Sequence, residues 1–118
     1  MRIASCCLAV LASFCACAAL ACETPAMVTI PDGKTSTLDE MRAAQAEVKN
    51  YMAAMDVFLA CTDEELEAKG KDAPAEYKSL MVNRHNTAVG EMESVAAAFN
   101  DQRKAYIDAN PAPPAATN

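Results

Sequence analysis

Apolar and small side chains recur three and four residues apart in two long runs of this chain, and a single break separates the runs. The first is Met41, Ala44, Val48, Tyr51, Met55 and Phe58, widened by Met52 and Leu59. The second is Tyr77, Met81, His85, Ala88, Met92, Val95, Phe99, Gln102 and Tyr106, flanked by Val89, Ala96 and Ile107. A period near 3.6 puts each run on one face of an α-helix, and such a face has to be covered. The break, Gly70-Lys71-Asp72-Ala73-Pro74, is too short for anything but an antiparallel return. The spacing therefore predicts an all-α fold built on a long antiparallel two-helix hairpin.

The ends of the helices are marked by local chemistry. Thr37-Leu38-Asp39-Glu40 is a capping box, in which the Thr hydroxyl and the Glu carboxylate each satisfy a backbone N–H of the first turn. Gly70 offers a stop, with Lys69 and Lys71 beside the negative end of the dipole, and Pro74 suits the start of a second helix. Asn110-Pro111 ends it. These signals predict helices over about 38–69 and 75–109, roughly 48 and 52 Å long at 1.5 Å per residue. The hairpin domain is then 37–109, and the Pro- and Ala-rich residues 110–118 form a disordered tail. Pairing across the turn sets Leu66 near Tyr77, Met55 near Ala88, Val48 near Val95 and Ala44 near Phe99. One conflict stands: Thr62-Asp63-Glu64-Glu65 is a second capping box inside the first helix, which we expect to run through it unbroken.

Ahead of the hairpin lies a different kind of sequence. Arg2 is followed by nineteen uncharged residues ending in Ala19-Leu20-Ala21, small residues where a signal peptidase accepts them. We expect residues 1–21 to be a signal peptide cut between Ala21 and Cys22. The run is rich in Ala, Ser and Cys, weakly apolar for a bilayer span, so no membrane span is expected after cleavage. The processed chain has 97 residues, enough for one domain. It carries nine basic against sixteen acidic residues, a net charge of −7. Nucleic acid and anionic membrane surfaces need a basic face, so neither is an expected partner.

Of six cysteines, Cys6, Cys7, Cys15 and Cys17 leave with the signal, and Cys22 and Cys61 remain. In an exported chain two cysteines read most simply as one disulfide. The alternative is a lipoprotein, since Ala19-Leu20-Ala21-Cys22 approximates the motif at which such a cysteine is acylated. Residues 22–36 hold Pro25, Pro31, Asp32 and Gly33, which rules out a long helix and predicts an extended arm with a turn at Pro31-Asp32-Gly33. Met27, Val28 and Ile30 give this arm something to bury. It can stretch about 50 Å, and Cys61 lies about 36 Å up the first helix, so the arm can run back along the hairpin and be pinned there.

Cys22-Glu23, the turn Pro31-Asp32-Gly33 and the second-helix run RHNTAVGEMESVAAAFN from Arg84 to Asn100 stand together in the processed chain. In this cysteine-glutamate start, proline-aspartate-glycine turn and second-helix signature the chain resembles a group of small exported proteobacterial proteins with no assigned activity. The resemblance implies a helical exported protein, periplasmic or secreted, and carries no mechanism.

Catalytic signals are sparse. Nucleophilic catalysis needs an activated Ser or Cys beside a base. The single histidine, His85, has no Cys within a helical turn, and Ser79 and Ser94 lie six and nine residues away. Asp63-Glu64-Glu65-Leu66-Glu67 lacks the alternating oxygen ligands and glycine of a calcium loop and reads as a solvated face. An enzyme is not expected, nor a cofactor. His85 on the buried stripe, with Met81 a turn before it and Met55 across the hairpin, is the one set that could hold copper or haem. Set against that, methionine at core spacing is usually gap-filling. The expected role is a structural or interaction protein of the envelope or periplasm, binding another protein or itself as a dimer. Surplus apolar residues such as Val57, Leu80 and Val82 point away from the seam. A metal or haem binder and a lipoprotein anchored at Cys22 are the alternatives.

Overall fold

The computed structural model describes residues 22–112. The signal peptide expected over 1–21, its cut between Ala21 and Cys22, and residues 113–118 of the tail lie outside the described residues. Helix α1 spans Leu38–Lys69 and helix α2 spans Ala75–Ala109. No Pro or Gly interrupts α1, and its β-branched residues are only Val48, Val57 and Thr62, so little opposes helix propagation.

The capping box forms as expected. Glu40 N–H donates to Thr37 Oγ1 at 3.3 Å, and Thr37 N–H donates to Glu40 Oε2 at 2.7 Å. The latter bond, together with the Thr37 hydroxyl, holds the Glu40 carboxyl below its ordinary pKa. Helix α1 then passes through Thr62 without a break. The reason is that Thr62 is buried and its hydroxyl turns back to donate to Leu59 O at 2.8 Å, an intrahelical bond that leaves nothing free to cap a new start. At Gly70 φ is +76°, which a side chain rarely adopts, and the Gly70 N–H closes the helix on Glu67 O. Pro74 stands at the N-cap of α2 and supplies no side-chain cap.

The core is the seam between the helices. Met41, Ala44, Val48, Tyr51, Met55 and Phe58 from α1 are buried, and Met81, Ala88, Val95 and Phe99 from α2. Cross-hairpin pairs agree with the expected register: the Arg84 guanidinium lies over the Phe58 ring at 5.4 Å, and Lys69 Nζ lies over Tyr77 at 5.6 Å. The buried Tyr51 hydroxyl is held in its neutral form by desolvation and then by the charge of Glu91 on the opposite helix. Two expectations need correction. Ile107 is exposed rather than flanking the seam, because the turn at Gly33 packs on the neighbouring Tyr106 side of α2 and Ile107 points away from it. His85, placed by spacing on the buried stripe, sits at its edge with 43% of its side chain exposed. The stripe narrows there because Arg84, one residue earlier, turns inward instead.

The arm does run back along the hairpin, and Cys22 and Cys61 form a disulfide with Cα atoms 5.7 Å apart. Val28 and Ile30 pack half-buried against the core, whereas Met27 stays 61% exposed, since successive residues of an extended segment point to opposite sides. The turn at its far end is self-contained. The Asp32 carbonyl accepts from the amides of Thr35 and Ser36 and from the Ser36 hydroxyl, and Asp32 Oδ1 accepts from Lys34 N–H.

Gly33 is buried where this turn meets α2, and its N–H donates to Gln102 Oε1 at 2.8 Å. A Cβ there would fall on the Gln102 carbonyl and the Tyr106 amide, which are helix backbone and cannot give way. Gly90, inside α2, has open space around it. The two glycines thus answer oppositely to one substitution. Gly33→Ala should destabilise by about 1–3 kcal/mol, as overpacking does. Gly90→Ala should stabilise by about 0.5–1 kcal/mol through helix propensity. Urea midpoints of the two variants, moving in opposite directions from the parent, check both.

Candidate interaction surface

The arm lies as a ridge between the helices, with shallow apolar grooves along both flanks. On the α1 side a groove of about 630 Å³ is lined by Cys22, Pro25, Ala26, Ala54, Val57 and Cys61. On the α2 side the larger groove, about 700 Å³, runs between Met27, Val28 and Ile30 and the helix face of Gly90, Ser94 and Ala98. Small residues at this helical spacing are what leave the groove open, since none reaches across to the arm. A third, about 320 Å³, continues it past Thr24, Leu80, Asn83 and Thr87. Three large apolar side chains stand around these grooves in water: Val57 at 71% exposed, Met27 and Leu80. They share the arm-bearing face because each lines a groove with arm residues.

Beneath the ridge, Arg84 ties three segments together. Its Nη2 donates to the Cys22 carbonyl at 3.2 Å, its Nη1 reaches Met81 Sδ at 3.7 Å and pairs with Glu65 at 3.5 Å, and its guanidinium covers Phe58. A planar cation with several donors suits this position, where a lysine could serve one partner at a time. The adjacent Tyr77 hydroxyl is pushed to a higher pKa by desolvation first and the Glu65 charge second. Neither Arg84 nor Gln102 stands out in the sequence as a partner for the arm. The signal available was a polar residue on an apolar stripe: Gln102 falls in the helical run, and it holds Gly33 from there.

His85 and Met81 line a separate cleft with Asp63, Leu66 and Val82, and His85 Nδ1 lies 3.7 Å from Asp63 Oδ1. Met55 does not line that cleft. It is wholly buried in the closed core, so the set His85, Met81 and Met55 does not converge on one open site. Among the described residues no three His, Cys, Asp or Glu side chains gather where they could hold an ion. No helix among them is long and apolar enough to cross a membrane. Comparisons with protein-family models, with curated proteins and with solved structures return no match.

Proposed function

We propose that this chain is an exported helical protein that works by contact, and that the arm-bearing face is where it associates with a second copy of itself. The observation that carries the reading is the exposure of Val57, Met27 and Leu80 around one apolar face. A domain of two helices and one arm has a thin core, and a second hairpin laid on this face makes a four-helix arrangement with a proper one. Contact rather than catalysis is supported by the use of both cysteines in a disulfide, which leaves neither as a nucleophile. An oxidising compartment suits that bond, in keeping with the signal-like start of the chain.

Charge sets the conditions. At a net −7 the processed chains repel one another, so association should strengthen as salt screens that repulsion. Sedimentation velocity of the oxidised, processed protein should give a concentration-dependent dimer, more populated at high salt. Val57→Lys combined with Leu80→Lys should return it to monomer with its helical circular dichroism intact. A strict monomer for the parent at high concentration and high salt refutes the reading.

A further inference from the structure

We infer that the arm is a redox-released strap: reduction of Cys22–Cys61 frees residues 23–31 to swing away about Gly33 and uncovers the apolar floor beneath, while the hairpin stays folded. The strap is fastened to the helices at its ends alone. At one end are the disulfide and the Arg84 bond to the Cys22 carbonyl; at the other is the Gly33 bond to Gln102. Between Glu23 and Ile30, none of the hydrogen bonds among the described residues joins arm to helix. Reduction leaves the small Cys22 side chain in the core, the one Arg84 bond to its carbonyl, and the half-buried Val28 and Ile30, a weak hold on nine residues that regain their backbone freedom on release.

The hinge end has its own integrity. Its turn is closed by bonds to Asp32 and is continuous with the capping box of α1, so it stays in place when the other end lets go. What the strap covers is apolar. Phe58 is 5% exposed, and lines the grooves on both flanks of the arm; Ala88 and Val95 lie in the same floor.

The bond is also within reach. Cys61 is half-buried where Cys22 is buried, and both line the open groove beside Val57. A dithiol reductant therefore meets Cys61 first: its thiolate attacks Cys61 Sγ, the S–S bond breaks, and Cys22 leaves as a thiolate. The second thiol of the reductant then displaces Cys61 from the mixed disulfide. The dithiol is oxidised to its own disulfide, two electrons pass to the cysteine pair, and each cysteine ends as a thiol. A second copy seated on the arm-bearing face would cover this groove, so the strap is tested on dilute monomer at low salt.

Hydroxyl-radical footprinting of the processed chain, oxidised and after dithiothreitol, with circular dichroism on the same samples, tests it. Reduction should raise the modification rates of Val28, Ile30 and Phe58 by about fivefold or more, leave Met55 in the closed core protected, and leave the helical signal unchanged at 25 °C. The variant carrying both Cys22→Ser and Cys61→Ser should reproduce the reduced pattern without reductant. Three results overturn the proposal: unchanged rates at Val28, Ile30 and Phe58 once both thiols alkylate, loss of the helical signal together with the disulfide, or a disulfide that yields to dithiothreitol only after the helices have melted.

Discussion

Cys61→Ser should lower the melting temperature by about 10–25 °C. The disulfide closes a loop of 39 residues. In the chain-entropy model such a closure removes about 4 kcal/mol of disorder from the unfolded state, and native bridges in small exported domains are commonly worth about 2–5 kcal/mol. Each kcal/mol moves the midpoint of a domain of this size by about 4–8 °C. The shift falls in the lower part of the resulting range, because a released arm recovers some of the lost free energy as disorder. Ordering the arm costs on the order of 1 kcal/mol per residue. Against that, Val28 and Ile30, each half-buried, return about 1 kcal/mol apiece. Cys22→Ser and reduced parent protein should melt with Cys61→Ser, since all three lack the same bond. A shift of only a degree or two would mean that the arm is held by its side chains, contrary to this account.

Phe58→Ala should destabilise by about 3–5 kcal/mol, the range for losing a buried aromatic side chain. Phe58 is covered on one side by Arg84 and on the other by the arm, so its removal leaves a cavity at the point where all three segments meet. The neighbouring change Val57→Ala should stay within about 0.5 kcal/mol in the monomer, because Val57 is 71% exposed. Paired urea titrations of the two variants read the orientation of α1 directly. Equal losses would place Val57 in the core and turn the helix the wrong way round. On the proposed dimer the same Val57→Ala change should weaken self-association, so the pair separates the residue that builds the domain from one on the proposed association face.

Most of the architecture was legible because helical periodicity is a local and redundant signal. Every α1 stripe residue from Met41 to Phe58 is buried, and the caps at Thr37 and Gly70 hold the ends where their chemistry places them. Thr62 shows how tertiary burial decides between two local options: the same Thr-x-x-Glu spacing caps at Thr37, in water, and bonds back along the helix at Thr62, in the core. The arm's path was legible only in outline, from its reach and from the two cysteines. Its attachment was not, because Gly33 reads as a turn residue and nothing local shows that α2 passes close enough to exclude a Cβ. His85 misled for a related reason. Periodicity assigns a face, but Arg84 and His85 are neighbours on the edge of that face, and the choice of which turns inward depends on Glu65, Phe58 and the Cys22 carbonyl, all distant in sequence. The face proposed for association was legible as surplus, in Val57 and Leu80, without the arm that gathers them into one face.

What Cys22 does in the native protein is the central question, and intact mass spectrometry of protein taken directly from its source, without reductant, answers it in one step. We predict a chain beginning at Cys22 whose mass rises by about two units on reduction and which carries no further addition, as one internal disulfide requires. A diacylglycerol mass on Cys22, or a mass unmoved by reduction with both thiols open to alkylation, would contradict it.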